Sequence, residues 1–295
     1  METKIGTNSC VAIEKIKQKN KNIRKKYCIV IPVYKETLDI DEIVSLKRLH
    51  DTLVDKSFVY IIAPEGINLK KYLKIFPELI KIQLDVKWFE STKTYSHLCM
   101  QYDFYNMFSS FEYMYIYQLD CYLFEDKLEY WCDKGYDYIG GPIIGPANGW
   151  NNYRKIADNQ IECFPMIGNG GFSLRKISTF KELTDPNGEL RKRYELTDEK
   201  NKDVEFEDVY FCVTLANLYD INMPDVMEAF KFSIDMNPDI AFKNYGVKDF
   251  PMAIHAFNKN IPFWKEKVKE FDNQELYDVC YNKYKDFINA YYLKQ

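Results

Sequence analysis

Three short, almost unbroken apolar runs dominate the first half of the chain: YCIVIPVY at 27–34, FVYIIAPEG at 58–66 and YMYIYQLDCYLF at 113–124. Each has the length of a strand buried on both faces, and each stops at proline, glycine or charge. Between the first two, Ile40, Ile43, Leu46, Leu49 and Leu53 recur at helical spacing. Strands alternating with helices predict an α/β fold built on a mixed, mostly parallel sheet flanked by helices.

The same pattern continues. KKYLKIF reads as a helix, IKIQLDVKWF holds a strand, SHLCMQYDFYNMFSSF reads as a helix, KLEYWCDKG as a short helix and YDYIGGP as a strand. His50 sits at the polar edge of the first helix and His97 at the start of a later one. From Trp264 onward Val268, Phe271, Leu276, Val279, Tyr284, Phe287 and Tyr291 recur at helical spacing and predict C-terminal helices. In an open parallel sheet, ligands bind beyond the carboxyl ends of the strands. Tyr34, Pro64 and Asp120 fall at three such ends and are expected on one rim.

Composition narrows the class. Charged residues make up 28 % and hydrophobic ones 46 %, with a net charge of −4; this is globular composition with no footprint for nucleic acid. The eight cysteines contain no CxxC pair, which predicts reduced, buried thiols. No signal-peptide core and no membrane-length apolar run occurs, so the expected location is cytoplasmic, with at most peripheral contact with the inner face of the membrane. The Lys/Arg cluster between Lys15 and Lys26 is either a solvated face or a weak attraction to anionic lipid. The aromatic content, with 24 tyrosines, reads as a Tyr-rich core or as rings that stack on sugars. A Gly/Asn/Pro-rich loop is expected at 145–152, and the charged segment at 184–208 reads as a surface excursion or a lid.

Four features can carry chemistry. Asp120 ends an apolar strand, where a lone carboxylate is a cap, an ion pair or a ligand for a hard cation. His255 interrupts the apolar stretch of DFPMAIHAFNKN and is either a satisfied core histidine or a metal ligand. Asn169-Gly170-Gly171, in IGNGGFSLRK, is a tight turn or backbone that a ligand approaches closely, just before Arg175. Glu207-Asp208 opens a helix, as a dipole-favoured cap or as a general base.

In sequence, YCIVIPVYKE, YIYQLDCYLFEDKLEYWCDKGYDYIGGP and IGNGGFSLRK resemble a bacterial family of proposed glycosyltransferases known as domain of unknown function 5672, of the GT-A fold. The resemblance covers about 27–262. It implies a GT-A-like glycosyltransferase domain there, between a basic N-terminal arm (1–26) and a C-terminal helical extension (263–295). It further implies transfer of a sugar from a nucleotide-sugar donor, a UDP-sugar, to a glycan or lipid-linked acceptor hydroxyl during synthesis of a surface polysaccharide or lipopolysaccharide. The metal, Mn²⁺ or Mg²⁺, would be held by Asp120 at the last position of a DxD motif that here reads Gln118-Leu119-Asp120, with His255 as the late histidine ligand. Asn169, Gly170 and Gly171 would line the donor sugar, and Arg175 would touch phosphate. Asp208 would be the base of an inverting displacement, with Glu207 beside it on the acceptor. Pro32, Val33, Tyr34, Glu36 and Pro64 would meet the nucleoside.

Two rivals remain at this level. A non-catalytic nucleotide- or carbohydrate-binding protein on a degenerate transferase fold is favoured by Gln118 in place of the first DxD carboxylate. A sugar nucleotidyltransferase needs a Gly-rich phosphate loop after its first strand, and PVYKETLD contains no glycine.

Overall fold

The computed structural model of the chain describes residues 26–144, 153–157, 160–163, 166–189, 204, 206–216 and 219–292. The N-terminal arm, the loop expected at 145–152 and most of the charged segment therefore lie outside the described residues. In chain order the first strands are β1 (Tyr27–Pro32), β2 (Val59–Pro64), β3 (Ile80–Leu84), β4 (Tyr113–Tyr117), β5 (Tyr122–Leu123), β6 (Tyr138–Gly140) and β7 (Pro142–Ile143). They are followed by β8 (Tyr153–Ala157), β9 (Gln160–Cys163), β10 (Met166–Ile167), β11 (Phe172–Lys176), β12 (Ser233–Ile234) and β13 (Ala253–Ile254). The helices of the first half are α1 (Ile40–Thr52), α2 (Lys70–Ile75), α3 (Thr92–Cys99), α4 (Tyr102–Met107) and α5 (Leu128–Asp133). Those of the second half are α6 (Ile177–Thr184), α7 (Glu207–Val209), α8 (Val226–Phe232), α9 (Pro238–Asn244), α10 (Ile261–Lys265), α11 (Gln274–Lys283) and α12 (Lys285–Tyr291).

Six strands form the main sheet in the order β3-β2-β1-β4-β11-β6. β1, β2, β3 and β4 run parallel, and β11 alone runs against its neighbours β4 and β6. Alternation along the strands feeds two cores, one on each face. Cys28, Val30, Met114 and Ile116 point to one face, where Leu98 of α3, Phe104 of α4 and Phe180 of α6 cover them. Ile29, Ile31, Tyr113, Tyr115 and Tyr117 point to the other, under Leu46 and Leu49 of α1, Tyr72 of α2 and Trp131 of α5. The predicted mixed, mostly parallel α/β sheet is thus present, and the apolar runs are apolar because both faces are covered.

Two elements differ from the sequence reading. The helix expected across SHLCMQYDFYNMFSSF is two helices, α3 and α4, because Gln101 takes an extended conformation between them. Its side-chain Nε2 donates to the His97 carbonyl at 2.9 Å and so caps the end of α3. Because α3 begins at Thr92, capped by Ser91, His97 lies in its last turn and not at its start. The run YMYIYQLDCYLF is likewise broken: β4 ends at Tyr117 and the chain turns through Gln118–Cys121, with Cys121 N–H donating to the Gln118 carbonyl at 3.0 Å.

That turn builds the site. Past it, β5 pairs antiparallel with β13, and β13 pairs parallel with β12. Ile254 faces Tyr122 in one pair and Ile234 in the other. The residues next to these partners, Asp235 and His255, are therefore delivered beside Asp120. The back of this small sheet is sealed by the C-terminal helices, whose Trp264, Phe271, Leu276 and Cys280 share one core with Tyr122, Ile234 and Ile254. Cys28, Cys99, Cys121, Cys132, Cys212 and Cys280 are buried free thiols, as expected. Among the described residues no helix is long and apolar enough to cross a membrane.

Candidate active site

His255 is the hub. Its Nδ1 lies 2.8 Å from Asp235 Oδ1, and its Nε2 lies 3.1 Å from Asp120 Oδ1 and 3.4 Å from Gln118 Oε1. With the Nδ1 proton given to Asp235, the remaining ring nitrogen points its lone pair at two oxygen acceptors. Three electron-rich atoms converge there, so a positive species belongs between them: a second proton on the ring, or a cation. Burial works against charge on the ring, but Asp120 and Asp235 outweigh it and raise His255 to about 10. For Asp120, burial favours the neutral acid, yet the neighbouring imidazolium holds its carboxyl down at about 2.

The donor set fits a hard divalent cation. Ligand atoms of Asp120, Cys121 and His255 lie within 4.8 Å of one another. Cys121 is the least suited of the three: burial pushes its thiol well above the usual range, and its Sγ donates to the Gly171 carbonyl at 3.4 Å. A carboxylate and an imidazole oriented from behind by a second carboxylate form the arrangement in which histidine commonly holds metals.

The Asn169–Gly171 turn packs against this hub. Asn169 has a left-handed backbone, with φ at 59°, and its Oδ1 accepts from Gly171 N–H at 3.1 Å. Asn169 Nδ2 lies 3.0 Å from His255 Nδ1. The turn is tied to the end of β4 by Gln118 N–H, which donates to the Gly171 carbonyl at 2.8 Å. Both glycines are demanded by close approach. A Cβ on Gly171 would meet His255 Nε2 at 2.2 Å, and one on Gly170 would meet Glu207 Oε1 at 2.5 Å. Because Asp235 anchors the ring at Nδ1, it cannot step aside; Gly171→Ala should cost about 1–3 kcal/mol of stability, as overpacking does, and should close the candidate metal position beside Nε2. Urea denaturation with and without Mn²⁺ measures both; an alanine variant with wild-type stability would contradict the ring's immobility.

On the other side of the turn, Gly170 N–H donates to Asp208 Oδ2 at 2.8 Å and Val209 N–H to Asp208 Oδ1 at 2.8 Å. Burial, then the adjacent negative charge of Glu207, raise the Asp208 carboxyl to about 6. That value suits a base working near neutrality.

The structure thus gathers Gln118, Asp120, Asn169, Gly170, Gly171, Glu207, Asp208 and His255 into one cluster around the turn. One member of it, Glu207, and its neighbour Arg175 differ in role from the sequence reading. Arg175 is 0 % exposed. Its Nη2 donates to Glu207 Oε1 at 2.8 Å, its Nη1 to Tyr105 Oη at 3.0 Å and its Nε to Ser173 Oγ at 3.1 Å. It is not among the residues that line the cleft and its donors are held by these partners, so it serves as the counter-ion of Glu207 and not as a phosphate contact. Glu207 in turn is buried, with Ser96 Oγ donating to its other oxygen at 3.1 Å, so it does not face an acceptor.

A cleft of about 440 Å³ opens beside Asp120, lined by Pro32, Val33, Tyr34 and Gln118 among others. Glu36 and Pro64 do not line it. Glu36 is exposed and accepts from Asn68 N–H at 3.0 Å, and Pro64 is buried within β2. The sequence reading missed Asp235, although a carboxylate inside the apolar KFSIDM is the same kind of signal as His255 in PMAIHAF.

Comparison with known proteins gives a family and a fold. The profile of a family described as "Protein of unknown function (DUF5672)" matches residues 79–255. No curated protein matches the chain. Mouse xyloside xylosyltransferase 1, in its apo form, superposes with a TM-score of 0.51 at 11 % identity, over 78 % of this chain and 97 % of that one. The apo form of the glycosyltransferase GlyE of Streptococcus pneumoniae TIGR4 gives 0.47 at 13 % identity, over 89 % of this chain and 63 % of that one. Core-mannan synthase A of Aspergillus fumigatus, in an Mn/GDP form, gives 0.44 at 12 % identity, over 63 % of this chain and 67 % of that one. The fold is that of the GT-A glycosyltransferases.

Proposed function

The chain belongs to the DUF5672 family of proteins of unknown function, and from that premise we propose that it is a metal-dependent, inverting glycosyltransferase. It moves a sugar from a nucleotide-sugar, a UDP-sugar, to a hydroxyl of a glycan or lipid-linked acceptor. The setting we infer is bacterial surface glycan synthesis in the cytoplasm, with at most peripheral contact with the membrane. The observation that carries the reading is the convergence of Asp120, Gln118 and His255 Nε2 on one side of the Asn169–Gly171 turn, with Asp208 on the other.

Asp120 and His255 would hold Mn²⁺ or Mg²⁺, which would supply positive charge to the nucleoside diphosphate leaving group. Asp235 holds the imidazole so that Nε2 faces that position. Asn169, Gly170 and Gly171 present backbone without side-chain bulk, so the donor sugar approaches closely. Asp208 takes the proton of the acceptor hydroxyl as the oxygen attacks the anomeric carbon from the face opposite the diphosphate, which inverts the centre in one displacement. Pro32, Val33 and Tyr34 form the nucleoside side of the cleft.

Screening nucleotide-sugars by thermal shift with Mn²⁺ tests the reading, since a ligand of the folded state raises its melting temperature. Asp120→Ala is expected to remove the Mn²⁺-dependent shift. A shift that survives in that variant would move the metal elsewhere. Mn²⁺-dependent nucleotide binding with neither transfer nor slow donor hydrolysis would favour the non-catalytic rival, which Gln118 at the first DxD position keeps in play.

A further inference from the structure

The far wall of the cleft is built around Asp41, in the first turn of α1. Its side chain is 0 % exposed, and it borders the cleft together with Glu42, Asn258, Lys283 and Tyr284. Asp41 Oδ2 accepts from Asn258 Nδ2 at 2.7 Å and from Lys283 Nζ at 3.0 Å. Asp41 Oδ1 is buried and has no hydrogen-bond partner among the described residues. A buried carboxylate oxygen left without a donor is costly, and native structures seldom tolerate one without a purpose.

None of the wall's donors reaches Oδ1. Asn258 Oδ1 accepts from Lys259 N–H at 2.9 Å, and Asn258 Nδ2 also reaches Tyr284 Oη at 3.4 Å. Lys283 Nζ is shared with Asp39 Oδ2 at 3.2 Å, and Lys35 is held by Asp39 and Glu42 at 2.8 Å each. A carboxylate oxygen offers only lone pairs, so its missing partner is an N–H or O–H donor. Lys283 already balances the charge of Asp41, which favours a neutral donor over a second cation. The cleft has the volume of a small-ligand site, and Asp120 stands at its other side.

We propose that Asp41, braced by Asn258 and Lys283, is the nucleoside-reading residue of the cleft, its Oδ1 accepting a hydrogen bond from a ribose hydroxyl or a base N–H. This rests on the nucleotide-sugar reading and adds to it a specificity-determining position. Lys283 and Tyr284 come from the C-terminal helices, so the segment from 263 onward supplies one wall of the ligand site.

The test is calorimetry on the full chain with Mn²⁺. The tighter-binding of UDP and GDP is compared with its 2′-deoxy, 3′-deoxy and ring-N-methyl analogues. On the wild-type protein, at least one analogue is expected to bind about tenfold or more weakly, because it lacks the donor that meets a carboxylate. The identity of that analogue says whether ribose or base is read. In Asp41→Asn the parent nucleotide should weaken by a similar factor and the gap to that analogue should narrow. Equal binding of parent and all analogues to the wild-type protein would overturn the proposal while leaving nucleotide binding standing, as would an unchanged gap in Asp41→Asn. Failure of both UDP and GDP to bind would overturn it together with the nucleotide-sugar reading. The analogue series uses the unaltered protein, so it decides the matter even if the variant folds poorly.

Discussion

Arg175→Met is expected to destabilise the fold by about 3–5 kcal/mol, the cost of removing one partner of a buried ion pair. Arg175 is fully buried, and three of its nitrogens donate to Glu207, Tyr105 and Ser173. Methionine fills much of the volume but leaves the Glu207 carboxylate buried with Ser96 as its remaining side-chain donor. The loss should appear as a lower urea midpoint with little change in slope. The double variant Arg175→Met, Glu207→Leu should recover a large part of it, because both charges then leave the interior together. A double variant no more stable than the single one would show that the loss comes from packing around Tyr105 and Phe180, not from the stranded charge. The pair ties α7 to β11 and so fixes the helix start that presents Asp208 to the turn.

Asp208→Asn is expected to lower kcat by about 10²–10⁴-fold, the usual worth of a positioned base, with nucleotide affinity nearly unchanged. The carboxyl titrates at about 6, raised by burial and by Glu207. Below that pH it is protonated and cannot accept the acceptor's proton; above it the carboxylate is free to act. The rate should therefore rise with pH through about 6 and then level off, and the asparagine variant should lose that limb. Full activity in the variant, or a limb that persists in it, would assign the base to another group. The asparagine also turns an amide toward Gly170 N–H or Val209 N–H, where the carboxylate accepted from both at 2.8 Å. Nucleotide affinity measured in parallel separates this local disturbance from lost catalysis.

The sheet was legible because covered strands cannot hide their composition. β1, β2 and β4 had to be apolar on both faces, and their ends had to share a rim, so Tyr34 and Asp120 on one cleft followed from chain order alone. Asp120 and His255 stood out as polar residues inside apolar stretches and Gly170-Gly171 as a tight turn, whereas Asp208 sat where a helix start favours an acid, so that its role as a base came only from the family resemblance. Arg175 was misread because an arginine in FSLRK has the same local signature whether it faces water or lies beneath a site. Only the packing of α3, α4 and α7 around it decides between the two. The break between α3 and α4 depends on one side-chain cap from Gln101, below the resolution of spacing arguments. Asp41 and Lys283 were invisible for a simpler reason: nothing local announces a contact between residues 242 positions apart.

That separation has a consequence for how the protein is made. A ribosome delivers residues in order at about 5–20 per second, so α1 emerges about 10–50 s before the lysine that completes its buried carboxylate. During that interval a nascent chain can hold the whole main sheet, the Asp120 turn and the glycine turn, and still present an unfinished cleft. The Asp41 wall is thereby a property of the finished polypeptide, and a chain arrested before Lys283 would hold the sheet and both turns while that carboxylate still lacked its lysine.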